Sequence, residues 1–321
     1  MIRTRLIWPD WLGTVRARMG VFRNAYQVAP GIYSTGRPGP DSPVLVTANY
    51  KLSFDALRRH LGTVDAWMMV CDTRGINVWC AAGKGTFSSE EVADRADRSN
   101  LKHLVHHRRL ILPQLAATGV SAQKVRQLSG FEVVWGPVRA EDLPRFLKDG
   151  MKANGNRRWV TFSLIERLVL TPVELSLLAK PLIGILTVVF LISGFGPGFF
   201  SFHAAWARGL YAAQAFVLGI FSGAVVTPLL LPWIPCRSFS LKGGIIGLIF
   251  AVLLPKGLSG IEISAMMLTV VAVSSYLAMN FTGSTPFTSP SGVEKEMRLA
   301  IPLQALTMLA AAVLWVLTPF V

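Results

Sequence analysis

Cysteine is scarce in this sequence. Its 321 residues include only three, Cys71, Cys80 and Cys236. They form no CxxC pair and no zinc-type spacing. An iron–sulfur cluster takes four thiolates, so these cysteines are too few to hold one. So little cysteine suits a reducing compartment better than a disulfide scaffold. Charge is missing too, but only from one half. From Pro181 onward long stretches carry none, whereas the residues before Thr171 are rich in Arg, Lys, Asp and Glu. The N-terminus also lacks the apolar run and small-residue cleavage site of a signal peptide, so no cleaved leader is expected.

What is present divides the same way. The length suits about two domains, and 52% hydrophobic residues is high for a wholly soluble protein. Lys and Arg outnumber Asp and Glu by 32 to 18, a net charge of +14 carried mostly by the first half. A basic balance suits nucleic acid, anionic lipid or an anionic ligand. No nucleic-acid motif is present. Since apolar segments follow, the bias toward basic residues on the inner side of a membrane accounts for the charge more simply.

A spanning helix needs about 20 apolar residues. Residues 175–194, 209–235, 262–281 and 299–320 qualify, and 243–255 reaches that length only with its flanking lysines and Phe239 to Leu241 added. Counting it predicts five spans. The basic half and the loops 236–242 and 283–298 (Arg237, Lys242, Lys295, Arg298) then fall inside, and the loops holding Arg208 and Lys256 outside. The spans hold almost no ionisable side chains, which argues against a pump or transporter and for an anchoring domain.

Strand-length apolar runs at 43–48, 66–71, 109–112 and 131–135 alternate with helical stretches at 53–61, 90–98, 121–128 and 141–148. That alternation predicts an α/β domain with a mainly parallel, Rossmann-like sheet. Ligands in such sheets sit at the carboxyl ends of strands, here the loops Thr47 to Lys51, Asp72 to Gly85, and Gly136-Pro137. In the first forty residues, arginines interleave with Trp8, Trp11 and Phe22, a pattern suited to a membrane interface or to a loose basic tail.

The loop after 66–71 contains Asn77-Val78-Trp79-Cys80-Ala81-Ala82-Gly83-Lys84. Asn77 suits a helix N-cap and Gly83 a helix stop. Cys80 then lies in the first turn, where the helix dipole and Lys84 favour a thiolate. A thiolate is a soft, strongly donating metal ligand. A cysteine among small residues is also commonly an inert core residue, and Cys71, in an apolar strand, reads that way. His103, His106 and His107, beside Arg108 and Arg109, read as a solvated basic patch rather than a metal or phosphate contact.

Those eight residues resemble the cap-helix signature of the mercury-methylating corrinoid proteins, the HgcA family. The resemblance continues through Val46 to Asp55, Arg109 to Leu115, Ser129 to Val138 and Leu170 to Leu175, and covers most of the chain. The soluble half also looks like the corrinoid domain of the corrinoid iron–sulfur protein, a relative without the cap-helix cysteine or the membrane domain. The resemblance implies a basic segment at 1–40, a corrinoid-binding α/β domain at 41–165 and an all-α transmembrane domain at 166–321. It implies a cobalamin-type corrinoid, base-off, with Cys80 as lower axial ligand to cobalt. The cofactor-binding set would be Thr47, Asn77, Val78, Trp79, Cys80, Ala81, Ala82, Gly83, Lys84, Gln114, Gly130, Gly136 and Pro137. The Asp-x-His-x-x-Gly signature of histidine-ligated corrinoid enzymes is absent, which agrees with a thiolate ligand.

The function this implies is transfer of a methyl group from methyl-Co(III) corrinoid to Hg(II), giving methylmercury, at the cytoplasmic membrane with the corrinoid domain in the cytoplasm. A folate-dependent one-carbon system would supply the methyl group. A ferredoxin-like partner with two four-iron four-sulfur clusters would supply electrons and, through its extra cysteines, mercury. The alternatives are a corrinoid methyl carrier for another soft metal, a metalloid or a one-carbon intermediate, and a membrane transporter with a soluble regulatory domain.

Overall fold

The computed structural model describes residues 1–152, 155–285 and 290–321. They form two compact units, Met1–Thr161 and Phe162–Val321.

The first unit runs α1 (Trp8–Arg18), β1 (Gly31–Thr35), β2 (Val44–Ala48), α2 (Lys51–Arg58), β3 (Ala66–Cys71), α3 (Val78–Gly83), α4 (Ser89–Arg98), α5 (Leu101–Leu104), β4 (Arg109–Leu112), α6 (Ala122–Ser129), β5 (Glu132–Trp135) and α7 (Leu143–Lys148). The sheet order is β1-β3-β2-β4-β5. β3, β2, β4 and β5 pair in parallel, with Val44 opposite Trp67, Leu45 opposite Ile111 and Arg109 opposite Glu132. β1 is an antiparallel edge strand, Gly31 opposite Val70. It lies within the stretch read as a basic segment. Its residues are mostly half-buried, as expected of an edge, so it has no apolar run to mark it in the sequence.

Side-chain alternation splits the strands between two cores. Val44, Val46, Met69, Cys71, Leu110 and Leu112 meet Val78, Ala81, Val92, Leu101 and Val125 from α3 to α6. Leu45, Met68, Val70 and Ile111 meet Phe54 and Leu57 of α2 and Leu143 and Phe146 of α7 on the other face. Helices on both faces of a mostly parallel sheet explain why β2 is buried at all five positions. After β2 the chain adds β3 on one side, and later β4 on the other. The order therefore reverses between β2 and β4, and a crevice is expected at the carboxyl ends of these two strands.

The second unit contains α8 (Leu164–Leu168), α9 (Thr171–Ser193), a two-residue hairpin of β6 (Phe195–Gly196) and β7 (Phe199–Phe200), α10 (Phe202–Ile220), α11 (Thr227–Leu230), α12 (Phe239–Phe250), α13 (Gly260–Asn280) and α14 (Pro290–Leu317). A π-helical stretch, Phe221–Val226, joins α10 to α11. Among the described residues four helical segments are long and apolar enough to cross a membrane: Leu164–Ser193, Phe202–Leu230, Gly260–Asn280 and Ser291–Phe320. The fifth expected span is the shorter apolar helix Phe239–Leu253. At 1.5 Å per residue it reaches about 22 Å, short of a hydrocarbon core about 30 Å thick. Arg208, expected in a loop, lies on α10. It donates to the carbonyl of Ser193 at 3.1 Å and lies 4.9 Å from the Trp315 ring centroid. In the expected loop 283–298, residues 286–289 lie outside the described residues, and Lys295 and Arg298 lie on α14.

α13 packs against α10, α12 and α14, and glycines allow the approach. A Cβ added at Gly223 would stand 2.5 Å from the carbonyl oxygen of Ser274, and the Ser274 hydroxyl donates to the carbonyl of Gly243 at 2.6 Å. Small residues substitute for hydrophobic driving force where helices meet in lipid. Gly223→Val should cost about 1–3 kcal/mol through overpacking, read as a lower melting temperature of the full chain in detergent. An unchanged melt would contradict this packing.

Candidate functional site

The loop between β3 and α3 is organised by one amide. Asn49, at the end of β2, is 2% exposed. Its Oδ1 accepts from the Thr73 backbone N–H (3.1 Å) and the Gly75 backbone N–H (2.9 Å), with the Thr73 hydroxyl 2.8 Å away. Its Nδ2 donates to Asp72 Oδ1 at 3.2 Å and to Gln27 Oε1 at 3.3 Å. The Thr73 hydroxyl in turn donates to the Ile76 carbonyl at 2.6 Å, which fixes the residue before the cap. Asn77 then caps α3, its Oδ1 accepting from the Cys80 N–H at 2.9 Å. Cys80 lies in the first turn and is exposed. Lys84 follows one turn later, its N–H donating to the Cys80 carbonyl at 3.0 Å.

α3 is held down through its small residues. Ala81 and Ala82 are buried, and a Cβ added at Gly119 would stand 2.6 Å from the Ala82 carbonyl oxygen. The segment after β4 thus presses directly on the α3 backbone. Gly83 and Lys84 are exposed at the helix end.

A cavity of about 400 Å³ opens where the strand order reverses. β2 contributes Leu45, Val46 and Thr47 to its wall, α2 contributes Ser53, Ala56 and Leu57, and the start of α3 contributes Asn77, Val78 and Trp79. Ile111 to Pro113 and Leu115 line the β4 side, and Gly136, Pro137, Val138 and Arg139 the end of β5. The wall is mainly apolar with a few polar groups, as in sites that take an organic ligand. Gln114 lies between the lining residues Pro113 and Leu115, and its buried Oε1 has no hydrogen-bond partner.

Of the residues expected from the sequence, Thr47, Asn77, Val78, Trp79, Gly136 and Pro137 come together in the wall, while Cys80 directly follows three of them. Ala81 and Ala82 serve α3 packing instead. Gly130 is not brought to the cavity. Its φ of 76° ends α6 at the amino end of β5, opposite the carboxyl ends where the cavity lies, and its role is that of a left-handed helix stop. His103, on α5, and His107, in the loop before β4, do not share a helix face. His106 Nδ1 lies 3.3 Å from Asp41 and His107 Nε2 lies 2.9 Å from the Ser42 carbonyl, also at the amino end of the strands. Cys71 is fully buried, and burial pushes its thiol well above the usual range.

Sequence reasoning missed Ala56, Leu57 and Arg139, which enter the wall from elements that no motif marks; Ser53 and Val138, also in the wall, lie in segments that carry the resemblance but were not singled out. Tyr50, within the expected loop Thr47 to Lys51, is buried with no partner for its hydroxyl. Burial raises the Tyr50 pKa, and Arg23 and Arg18 oppose the shift. Among the described residues no group of three or more His, Cys, Asp or Glu is arranged to hold a metal ion.

Residues 15–147 match the family model of the CO dehydrogenase/acetyl-CoA synthase delta subunit. Similar proteins include acetyl-CoA decarbonylase/synthase complex subunit gamma from Methanopyrus kandleri, 33% identical over 40% of this chain and 28% of the relative. The same subunit from Archaeoglobus fulgidus is 30% identical over 39% and 27%, and that from Methanosarcina acetivorans 34% over 30% and 21%. The chain thus spans less than a third of the length of these relatives. The matched region contains every residue of the cavity wall.

Two substitutions test this geometry. Asn49→Ala should cost about 1–3 kcal/mol by leaving buried donors of Thr73 and Gly75 unpaired. Hydrogen exchange should show residues 72–77 opening faster, and native protection there would contradict the bracing role. Cys71→Ala removes one small core side chain and should cost about 1 kcal/mol, read from thermal melts. Loss of function without loss of stability would mean that Cys71 does more than pack.

Proposed function

We propose that this chain is a membrane-bound corrinoid protein that transfers a methyl group from its corrinoid to inorganic Hg(II), producing methylmercury, with Cys80 as lower axial ligand to the cobalt. The observation that carries this reading is the position of Cys80. It is exposed in the first turn of a braced helix whose preceding three residues line the cavity at the strand-order reversal.

The residues present fit such a cofactor. A single protein thiolate suits a metal whose other positions are filled by a macrocycle, and a mainly apolar wall suits the macrocycle's rim. Asn77, Val78 and Trp79 would hold one side and Thr47, Gly136 and Pro137 the other, with the unpartnered Gln114 Oε1 free to accept from an amide side chain of the ligand. Ala81, Ala82, Gly83 and Lys84 complete the cap helix. Bound there, the corrinoid supplies a methyl group on cobalt. The protein's share is to orient the thiolate through the Asn77 cap and to keep α3 rigid on Gly119. Cys80 would hold the metal of the corrinoid, and a thiolate there would suit transfer of the methyl group to a soft electrophile such as Hg(II).

The resemblance of the cap segment to the mercury-methylating family supports the acceptor. The match of residues 15–147 to the CO dehydrogenase/acetyl-CoA synthase delta subunit model, with the similarity to acetyl-CoA decarbonylase/synthase gamma subunits, supports the corrinoid and methyl-carrier chemistry more broadly. It also favours a second reading, in which the acceptor is a one-carbon intermediate. On either reading the long apolar helices anchor the chain in the cytoplasmic membrane, with the corrinoid domain at 41–165 in the cytoplasm. The methyl group comes from a folate-dependent donor system. Electrons come from a ferredoxin-like partner with two four-iron four-sulfur clusters, which also delivers mercury.

The test is a mercury-methylation assay of the full chain with donor and reduced partner present. Wild type should form methylmercury, and Cys80→Ala should form none while remaining in the membrane fraction. Wild-type rates from the variant would remove Cys80 from the reaction. A wild-type protein that methylates a one-carbon acceptor but never Hg(II) would favour the second reading.

A further inference from the structure

α1 has its amphipathic pattern reversed. The side facing the unit carries Asp10, Gly13 and Ala17, while the side facing solvent carries Trp8, Trp11, Leu12 and Val15. Met19 and Phe22 continue the apolar stripe past the helix end, and Trp8 and Phe22 are each 76% exposed. A soluble helix normally buries such a stripe.

The inward side explains how this is held. Asp10 pairs with Lys51 at 2.8 Å and with Arg58 at 2.7 Å, and Gly13 lies against the Tyr26 ring. Although burial raises the Asp10 pKa, hydrogen bonds from Lys51, the Ile7 backbone and Arg58 hold it well below the usual carboxylate range. The helix is therefore docked by ions and close contact, and its apolar stripe is left without a partner. The exposure is concentrated here. Between Arg23 and Arg158, Leu128 is the one exposed large hydrophobic among the described residues. Phe22 also holds a φ of 53°, a costly conformation for a bulky residue.

The charge around the stripe has one sign. Arg3, Arg5, Arg16 and Arg18 are exposed, and Asp10, the one acidic residue in the first 22 positions, is consumed by its inward ion pairs. Tryptophan and phenylalanine with flanking arginines match the interfacial zone of an anionic bilayer. The first spanning candidate begins at Leu164, three residues after Thr161 closes the first unit, so chain continuity keeps this unit near any bilayer that segment crosses.

We propose that α1 and the turn after it lie on an anionic membrane surface, with Trp8, Trp11, Leu12, Val15, Met19 and Phe22 immersed below the headgroups. The arginines then meet lipid phosphates, and the ion pairs of Asp10 fasten the α/β unit to the helix. This does not depend on what Cys80 binds.

The test uses the full chain in lipid nanodiscs, with Cys80 and Cys236 changed to Ser and a nitroxide placed at Leu12→Cys, Val15→Cys or, as a solvent control, Lys102→Cys. Both stripe positions are exposed, so these substitutions leave the core intact. In discs of phosphatidylcholine with phosphatidylglycerol, the labels at 12 and 15 should be several-fold more accessible to oxygen, relative to a nickel chelate, than the label at 102. In phosphatidylcholine alone the difference should shrink. Equal accessibility at all three positions in both lipids would overturn the proposal. So would labels at 12 and 15 shielded from both reagents, because that result marks a protein partner or a second copy on the stripe.

Discussion

The Asn49 side chain accepts two hydrogen bonds, from the backbone N–H groups of Thr73 and Gly75, and donates two more, to Asp72 and Gln27, all from within the protein. A buried amide so fully used has little freedom to move, and the groups it satisfies would cost about 1–3 kcal/mol each if left unpaired. The bond joins the carboxyl end of β2 to the loop leaving β3. That loop leads within a few residues to Asn77 and the first turn of α3. The position of Cys80 is therefore set by the sheet rather than by a flexible loop. The wall of the cavity begins on the same strand, at Leu45 to Thr47, so cap helix and cavity share one support.

Much of this frame is legible in the sequence because its signals are local. The runs at 66–71 and 109–112 coincide with β3 and β4, and Asn77 caps the helix that follows it. What was not legible depends on tertiary packing. β1 has no apolar run because an edge strand buries little. Ala56 reaches the cavity through the placement of α2, and Arg139 through the loop after β5, neither of which spacing encodes. Gly130 occurs in a segment that resembles the corrinoid proteins, yet its left-handed backbone has a sufficient explanation as a helix stop. The reversed face of α1 was visible only as arginines among tryptophans, because which side a helix turns inward is decided by its ion pairs with Lys51 and Arg58.

The two units solve different physical problems. In the first, strand alternation fills two apolar cores on opposite faces of one sheet. In the second, glycine and serine bring α12 and α13 together where apolar side chains alone give little preference. The family model matches residues 15–147, all within the first of these frames. The shared frame accounts for a ligand cavity at the strand-order reversal, while the apolar helices and the reversed α1 lie outside it or at its edge. Under the proposed function, an α/β carrier domain adapted to a membrane surface would account for that distribution.

The central claim is that Cys80 binds the metal of a corrinoid held in the cavity. The visible absorption spectrum of the full chain, reconstituted with cobalamin and compared with Cys80→Ala, tests it most directly. The account predicts corrinoid bands in the wild-type protein and shifted bands in the variant, where the thiolate no longer reaches cobalt. A wild-type protein that stays colourless after reconstitution, or a variant whose spectrum equals that of the wild type, would contradict it.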